Sequence, residues 1–282
     1  MNCAWQAYLN LLPQWMRDTV DKQGRENLQE LRLRLGRPAE LILKDSTKWL
    51  NHPTSEKDLI SVVNAASTFS PWTAESVRRG YITAEGGHRI GICGEVALVN
   101  GEIRSIPKLT SVSLRVARDM PGIAENAAGL KGSSLIIGSP GSGKTTLLRD
   151  MVRQISTSRN CCVAVVDERQ EIFPLEKGKF SFDPGARTDV LSGCGKKEGI
   201  EMVLRCMNPK IIAMDEITAE VDCQALVYAA WCGVSLMATA HALDQQDFSS
   251  RPVYKPLLEK GIFQNLIVMQ KDQTWQLERI SG

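Results

Sequence analysis

The spacing of apolar residues changes near residue 120 of this 282-residue chain. Before that point, short β-like runs are separated by Gly86-Gly87 and Asn100-Gly101, two pairs typical of hairpin turns. The β-like runs are 30–35, 39–43, 81–85, 88–98, 102–106 and 111–118, and helical spacing is found over 3–20, 56–69 and 73–79. Residues 1–120 are therefore predicted to form a smaller α+β domain with an antiparallel sheet.

After residue 120, apolar β-like runs alternate with helical segments. The β-like runs are 134–137, 162–166, 211–214 and 234–239, the helices are 144–155, 199–207 and 219–231, and a closing hairpin covers 263–269 and 275–280. This alternation predicts an α/β domain over residues 121–282 with a mostly parallel sheet. Segment 225–243 has no formal charge, but Gly233 divides it, which favours a buried helix and strand over a membrane span.

Between the first apolar strand and its helix, the chain matches the phosphate-loop pattern G-x-x-x-x-G-K-[ST]. The loop consists of Gly138, Ser139, Pro140, Gly141, Ser142, Gly143, Lys144 and Thr145, and Thr146 follows it. Glycines let backbone N–H groups surround a phosphate chain, and the helix N-terminus adds positive potential. Lys144 can reach the β- and γ-phosphates, and the Thr145 hydroxyl can hold Mg²⁺. The loop therefore predicts a site for ATP and Mg²⁺.

Acidic residues follow two later apolar strands, where functional groups of parallel sheets gather. Asp215 suits Mg²⁺ binding, and Glu216 suits orientation of the attacking water. Glu168, after the preceding strand, is a rival for the role of Glu216, while its neighbours Asp167 and Arg169 either act at the site or only pair with nearby groups. His241 ends the next strand and is a candidate sensor of the γ-phosphate, whereas His52 and His88 are interpreted as structural.

Composition and charge exclude several other classes. The chain is 43% hydrophobic and 23% charged with a net charge of +2, an ordinary globular composition with no basic stripe, so no direct nucleic-acid binding is expected. Its eight cysteines include no C-x-x-C pair, which argues against a zinc site or a disulfide framework and favours a reducing cytoplasm. No secretory signal pattern is visible at the N-terminus.

The order of these motifs resembles that of the type II/IV secretion ATPases: Walker A, an Asp box, Walker B with a catalytic Glu, and a His box. The matching residues are the phosphate loop, 167–169, 204–217 and 238–241. Four further stretches, 30–38, 80–83, 87–95 and 187–191, closely resemble the stage III sporulation protein AA family of spore-forming bacteria. Most secretion ATPases have Gly at the position of Asp215, so the division of labour between Asp215 and the Asp-box acids stays open.

This resemblance implies a RecA-like P-loop ATPase domain behind an N-terminal domain, assembled as a homo-hexamer. It implies a location in the mother cell, where the ATPase would dock from the cytoplasm on membrane-embedded channel proteins that connect mother cell and forespore. It also implies that the N-terminal domain donates arginines to the nucleotide. Arg89 and Arg115 are the candidates for that role, and solvated strand arginines are the alternative.

Two other functions compete with this one. An ABC-type ATPase is suggested by Leu191-Ser192-Gly193-Cys194-Gly195, but only 71 positions separate Lys144 from Asp215, which leaves little room for a helical subdomain. A nucleotide-gated assembly scaffold with little turnover is compatible with the same acids. Lys196 and Lys197 could contact partners or only solvent, and solvent is the default expectation.

Overall fold

The structure is a computed structural model that describes residues 1–67, 80–159, 161–176, 178–270 and 272–279. The chain divides into two compact units, Met1–Asp119 and Met120–Gly282. The helix predicted over 73–79 and the end of that predicted over 56–69 lie outside the described residues. Among the helices of the described ranges, none combines the length and apolar content needed to cross a bilayer.

The N-terminal unit is built on a six-stranded antiparallel sheet with strand order β3-β2-β1-β6-β5-β4. Its elements are α1 (Trp5–Asn10), α2 (Gln14–Asp21), β1 (Leu28–Arg34), β2 (Pro38–Leu43), β3 (Thr47–Pro53), α3 (Glu56–Ala66), β4 (Tyr81–Ala84), β5 (His88–Val99) and β6 (Glu102–Arg115). Helix α3 begins with a capping box between Ser55 and Asp58, and its Leu59 is buried in the core with Leu31 and Leu114 of the sheet. The α+β prediction is confirmed.

Three details of this unit differ from the sequence prediction. The helix predicted over 3–20 is two helices, because Pro13 has no N–H to continue α1 and stands instead at the N-cap of α2. Strand β6 is continuous through Pro107, which lies where the register with β5 shifts, a place where a sheet tolerates proline. Strand β3 was not predicted because it has no alternation of apolar and polar residues. It is an edge strand with six of its seven residues exposed.

His88 joins the N-terminal segment to the end of β6, as expected for a structural histidine. Its Nε2 lies 3.0 Å from the Ala4 carbonyl oxygen, and its Nδ1 accepts the Ala117 N–H at 3.1 Å, so the proton is on Nε2. The ring is buried against Tyr8. Burial lowers the pKa of His88 to about 4.

The C-terminal unit contains a seven-stranded sheet with order β11-β8-β12-β13-β7-β14-β15, in which only β15 runs antiparallel to its neighbour. The strands are β7 (Ser134–Gly138), β8 (Val163–Asp167), β11 (Thr188–Ser192), β12 (Ile211–Ile217), β13 (Ser235–His241), β14 (Asn265–Met269) and β15 (Trp275–Arg279), with β9 (Leu175–Glu176) and β10 (Lys179–Phe180) forming a separate two-stranded sheet. The helices are α4 (Lys144–Ser158), α5 (Lys196–Cys206), α6 (Glu220–Trp231), α7 (Gln245–Ser250) and α8 (Lys255–Glu259). The mostly parallel sheet and the closing hairpin are confirmed.

The elements of this unit differ from the prediction in several places, since helices α7 and α8 and strands β9 and β10 were not predicted. Strand β11 was not predicted, because its residues are polar or half-buried and lie at the edge of the sheet. Helix α5 begins at Lys196 rather than Gly199. The uncharged segment 225–243 is the end of α6 and strand β13, separated at Gly233, as predicted.

Candidate active site

The phosphate loop leaves the sheet at the end of β7 and turns into α4 through glycines whose backbone conformation or close contacts disfavour a side chain. Gly141 and Gly143 have φ angles of 78° and 95°, in the left-handed region that side chains disfavour. A Cβ on Gly138 would lie 2.5 Å from Ser142 Oγ and 2.8 Å from Met269 Cβ. The Ser142 hydroxyl is buried and has no hydrogen-bond partner within the described part of the chain. Such a backbone cradle with an unsatisfied donor fits a phosphate group.

Lys144, the first residue of α4, is buried and anchors a chain of polar contacts. Its ammonium lies 2.9 Å from the carbonyl oxygens of Gly138 and Ser139 and 3.0 Å from His241 Nδ1. Because an ammonium group only donates, Nδ1 accepts and the imidazole proton is on Nε2, which lies 3.0 Å from Glu216 Oε1. Burial lowers the pKa of Lys144, and the nearby Asp215 and Glu216 carboxylates oppose that shift.

Asp215 is held between two threonine hydroxyls. Thr145 Oγ1 donates to Asp215 Oδ2 at 2.7 Å, and Thr239 Oγ1 donates to Asp215 Oδ1. Hydroxyl and carboxylate oxygens are the hard ligands that Mg²⁺ prefers. Thr145 and Asp215 are therefore chemically suited to hold Mg²⁺ beside the phosphate loop.

The two rival glutamates have different surroundings. Glu216 forms an ion pair with Arg169 in addition to its contact with His241, and its side chain is 27% exposed. Glu168 lies 2.5 Å from the ammonium of Lys196, whose side chain is only 4% exposed and is also 3.8 Å from Asp222. The expectation that Lys196 faces solvent is wrong, although the neighbouring Lys197 is exposed. The pairing of Lys196 with Glu168 was missed because nothing in a Lys-Lys sequence reveals that one member is buried.

Asp167 and Arg169 both pair with nearby groups. Asp167 ends β8 and accepts the N–H groups of Glu171, Ile172 and Phe173 at 2.9, 3.0 and 2.9 Å. Burial raises its pKa to about 6, although these N–H bonds favour the ionised form. The Asp167 side chain therefore fixes the loop that follows β8 rather than pointing at the phosphate loop.

Arg149 fixes the same loop from α4. Its guanidinium donates to the carbonyl oxygens of Ile172 and Glu171 at 2.6 and 2.8 Å and lies 4.0 Å from the centre of the Phe182 ring. Arg149 is buried. The sequence gives no sign of this burial, because Arg149 shares its side of the helix with the polar residues Thr145, Arg153 and Ser156.

Arg89 and Arg115 lie directly opposite one another on β5 and β6, within the N-terminal unit. Arg89 stacks over the Tyr81 ring at 4.1 Å, and Arg115 lies 3.5 Å from Glu30 with a side chain that is 61% exposed. The two residues line a pocket of about 350 Å³ together with Arg32 and Arg34. The pocket is rich in cationic groups, of which Arg32 and Arg34 pair with Glu30 and Glu40.

A phosphate loop, an oxygen pair suited to a divalent cation, and a Glu–His pair at neighbouring strand ends characterise P-loop nucleotide-binding proteins. Among solved structures, the chain is similar to the Legionella pneumophila ATPase DotB, with a TM-score of 0.59 at 18% identity over 95% of this chain and 80% of that one. It is also similar to the pilus retraction motor PilT solved with ADP, with a TM-score of 0.58 at 13% identity over 94% and 83% of the two chains. The chain has the P-loop fold of the secretion ATPases, as predicted.

The particular family follows from the sequence comparisons. The family model described as "Sporulation stage III, protein AA" matches residues 6–280, and the chain belongs to this family. It is 34% identical over 274 residues to stage III sporulation protein AA of Bacillus subtilis (strain 168), covering 93% of this chain and 89% of that protein. A plant relative, SEEDLING PLASTID DEVELOPMENT 1 of Arabidopsis thaliana, is 30% identical over 89% of this chain and 36% of its own length.

Proposed function

We propose that this protein binds ATP with Mg²⁺ and hydrolyses it. The observation that carries the proposal is the contact chain Lys144–His241–Glu216, which places a carboxylate next to the phosphate loop. The backbone N–H groups of residues 138–145, of which Pro140 has none, and the Lys144 ammonium would hold the phosphates. Thr145 and Asp215 would hold Mg²⁺, which would supply neutralisation of phosphate charge there. Thr146 follows directly in the first turn of α4.

Glu216 is proposed as the group that orients the attacking water and accepts its proton. Its bond to His241 connects it to Lys144, whereas Glu168 is occupied by the buried Lys196. His241 positions Glu216 and would register the γ-phosphate through Lys144. The charge on Glu168 then serves chiefly to neutralise the buried Lys196 ammonium.

The proposed assembly, location and partners of this protein are inferred from the family to which it belongs. We propose a homo-hexamer that acts in sporulation, docks from the cytoplasmic side of the mother cell on membrane-embedded channel proteins, and binds no nucleic acid directly. Arg89 and Arg115 are proposed to contact nucleotide, and the arginine-lined pocket they share supports that role. The fold shared with DotB over 95% of this chain supports the secretion class over an ABC-type ATPase.

The first test is nucleotide binding and turnover in the purified protein. Lys144→Ala removes all three ammonium contacts and is expected to abolish either binding or turnover. Wild-type protein that binds no ATP in the presence of Mg²⁺ would refute the proposal. Size measurement with and without a non-hydrolysable ATP analogue tests the hexamer, and a turnover rate per protomer that is independent of protein concentration would count against it.

One observation favours the scaffold function with little turnover: Glu216 forms its ion pair with Arg169 inside the site. The ion pair occupies Glu216 Oε2, so that oxygen can contact an attacking water only after the arginine moves. Comparing the ATP dissociation constant with the turnover rate separates the two functions, because a scaffold binds tightly and hydrolyses negligibly.

A further inference from the structure

The two acids of β12 lie on a β-bulge. In the pairing of β12 with β13, Met214 is opposite Ala238 and Ile217 is opposite Ala240, so Asp215 and Glu216 together face the single residue between those partners, Thr239. Glu216 has a φ angle of 54°, in the left-handed region that a non-glycine residue enters only at a cost of roughly 1 kcal/mol. The bulge is therefore held in place by its surroundings.

The bulge has a direct consequence for the site. Consecutive side chains of a regular strand point to opposite faces of the sheet. Here, Asp215 contacts Thr145 while Glu216 contacts His241, and His241 in turn contacts Lys144, the residue next to Thr145. Asp215 thus contacts the phosphate loop directly and Glu216 is linked to the same loop through His241, although the two acids are consecutive in the strand.

Thr239 supplies a hydrogen-bond acceptor for the Glu216 N–H within the bulge. Its hydroxyl accepts the Glu216 N–H at 2.8 Å and donates to Asp215 Oδ1, and the residue is fully buried. A hydroxyl can do both at once because it has one donor and two lone pairs. A valine of the same shape could do neither.

We propose that Thr239 is a positioning residue that sets both acids through this one hydroxyl: Asp215 toward Mg²⁺ and Glu216 toward the reacting water. The inference rests on the proposed function. Thr239 acts only through Asp215 and Glu216, so its removal affects Mg²⁺ coupling and the Glu216 backbone rather than the phosphate loop.

The test compares Thr239→Val with Thr239→Ser, which keeps the hydroxyl. Ser133→Ala is the matched control, because Ser133 Oγ is buried and accepts the Leu236 N–H at 3.0 Å near the start of β13. The first readout is exchange of the Glu216 amide proton in the protein without nucleotide. The second is ADP affinity measured with Mg²⁺ and with EDTA.

For Thr239→Val, we expect Glu216 amide exchange to accelerate about tenfold or more, and the gain in ADP affinity from Mg²⁺ to shrink by about tenfold, with affinity in EDTA unchanged. Thr239→Ser should match wild type in both readouts. Ser133→Ala should lower the melting temperature and change neither.

Wild-type behaviour of Thr239→Val in either readout overturns the inference, and so does an equal response of Ser133→Ala. If wild-type protein binds no nucleotide, the proposed function fails. The amide-exchange readout then still decides whether Thr239 holds the bulge.

Discussion

Removing the charge of Glu216 should lower ATP turnover, whereas removing the charge of Glu168 should lower the stability of the protein. Glu216→Gln keeps an oxygen to accept the His241 N–H but removes the proton-accepting carboxylate. A general base contributes about 10²–10⁴ to a rate, so turnover should fall by that factor, equivalent to about 3–5 kcal/mol in the barrier. The ion pair with Arg169 is between 27% and 41% exposed, so its loss should cost the free energy of unfolding no more than about 1 kcal/mol.

Glu168→Gln should instead affect stability. It leaves the Lys196 ammonium, whose side chain is 4% exposed, with a neutral partner and with Asp222 at 3.8 Å. Breaking a fully buried pair costs several kcal/mol. Because the Glu168 side chain is 39% exposed and the Asp222 contact remains, the expected loss is reduced to about 2 kcal/mol. Turnover should stay in the same order of magnitude as wild type.

The assay combines steady-state ATP hydrolysis, ATP affinity and urea unfolding for both variants. Glu201→Gln, at an exposed position of α5, controls for the loss of one negative charge. If Glu168→Gln abolishes turnover while Glu216→Gln retains it, the assignment of the base is wrong. Equal effects of both variants on stability would refute the reasoning from burial.

Three further predictions concern His88 and Gly94 of the N-terminal unit and Arg149 of α4. His88 titrates at about 4 when folded and near 6.5 when unfolded, so its contribution is complete above pH 6.5 and is lost as the pH falls towards 4. The difference in unfolding free energy between wild type and His88→Gln should therefore shrink by about 3 kcal/mol from neutral pH to about pH 4, and a constant difference would contradict this. Gly94→Ala would put a Cβ 2.1 Å from the Lys108 carbonyl oxygen and should lower the free energy of unfolding in urea by about 1–3 kcal/mol. Gly91→Ala is the control, because its Cβ would have its nearest contact at 3.7 Å and should not destabilise the protein. Equal effects of the two variants would refute the steric argument. Arg149→Met should accelerate amide exchange over residues 168–173, and unchanged protection there would show that the loop is held by Asp167 alone.

The parts of the fold that could be predicted from the sequence are those that depend on patterns within a few consecutive residues. The phosphate loop is fixed by spacing within eight residues, and the central strands are apolar because they are buried on both faces. Strand β3 and strand β11 were missed because edge strands need no such pattern.

The candidate site was predictable only as a set of residue types at strand ends. Asp215, Glu216 and Glu168 were identified, but their partners depend on contacts between distant segments: Lys196 is 28 positions from Glu168, and Arg169 is 47 from Glu216. Thr239 left no signal, because a threonine inside an apolar strand is ordinary. Its significance depends on the register between β12 and β13, which the sequence does not state.

The buried guanidinium of Arg149 connects helix α4, which starts at the phosphate loop, to the segment that follows β8. Helix α4 starts at the phosphate loop, and Arg149, one turn further along, grips two carbonyls of the segment that carries Glu168 and Arg169. Charge-assisted hydrogen bonds contribute about 1.5–3 kcal/mol each, so sliding the helix without that segment would cost roughly 3 kcal/mol or more. A displacement of the first turn of α4 would therefore strain these two hydrogen bonds unless the segment that carries Arg169, the ion-pair partner of Glu216, moved with the helix.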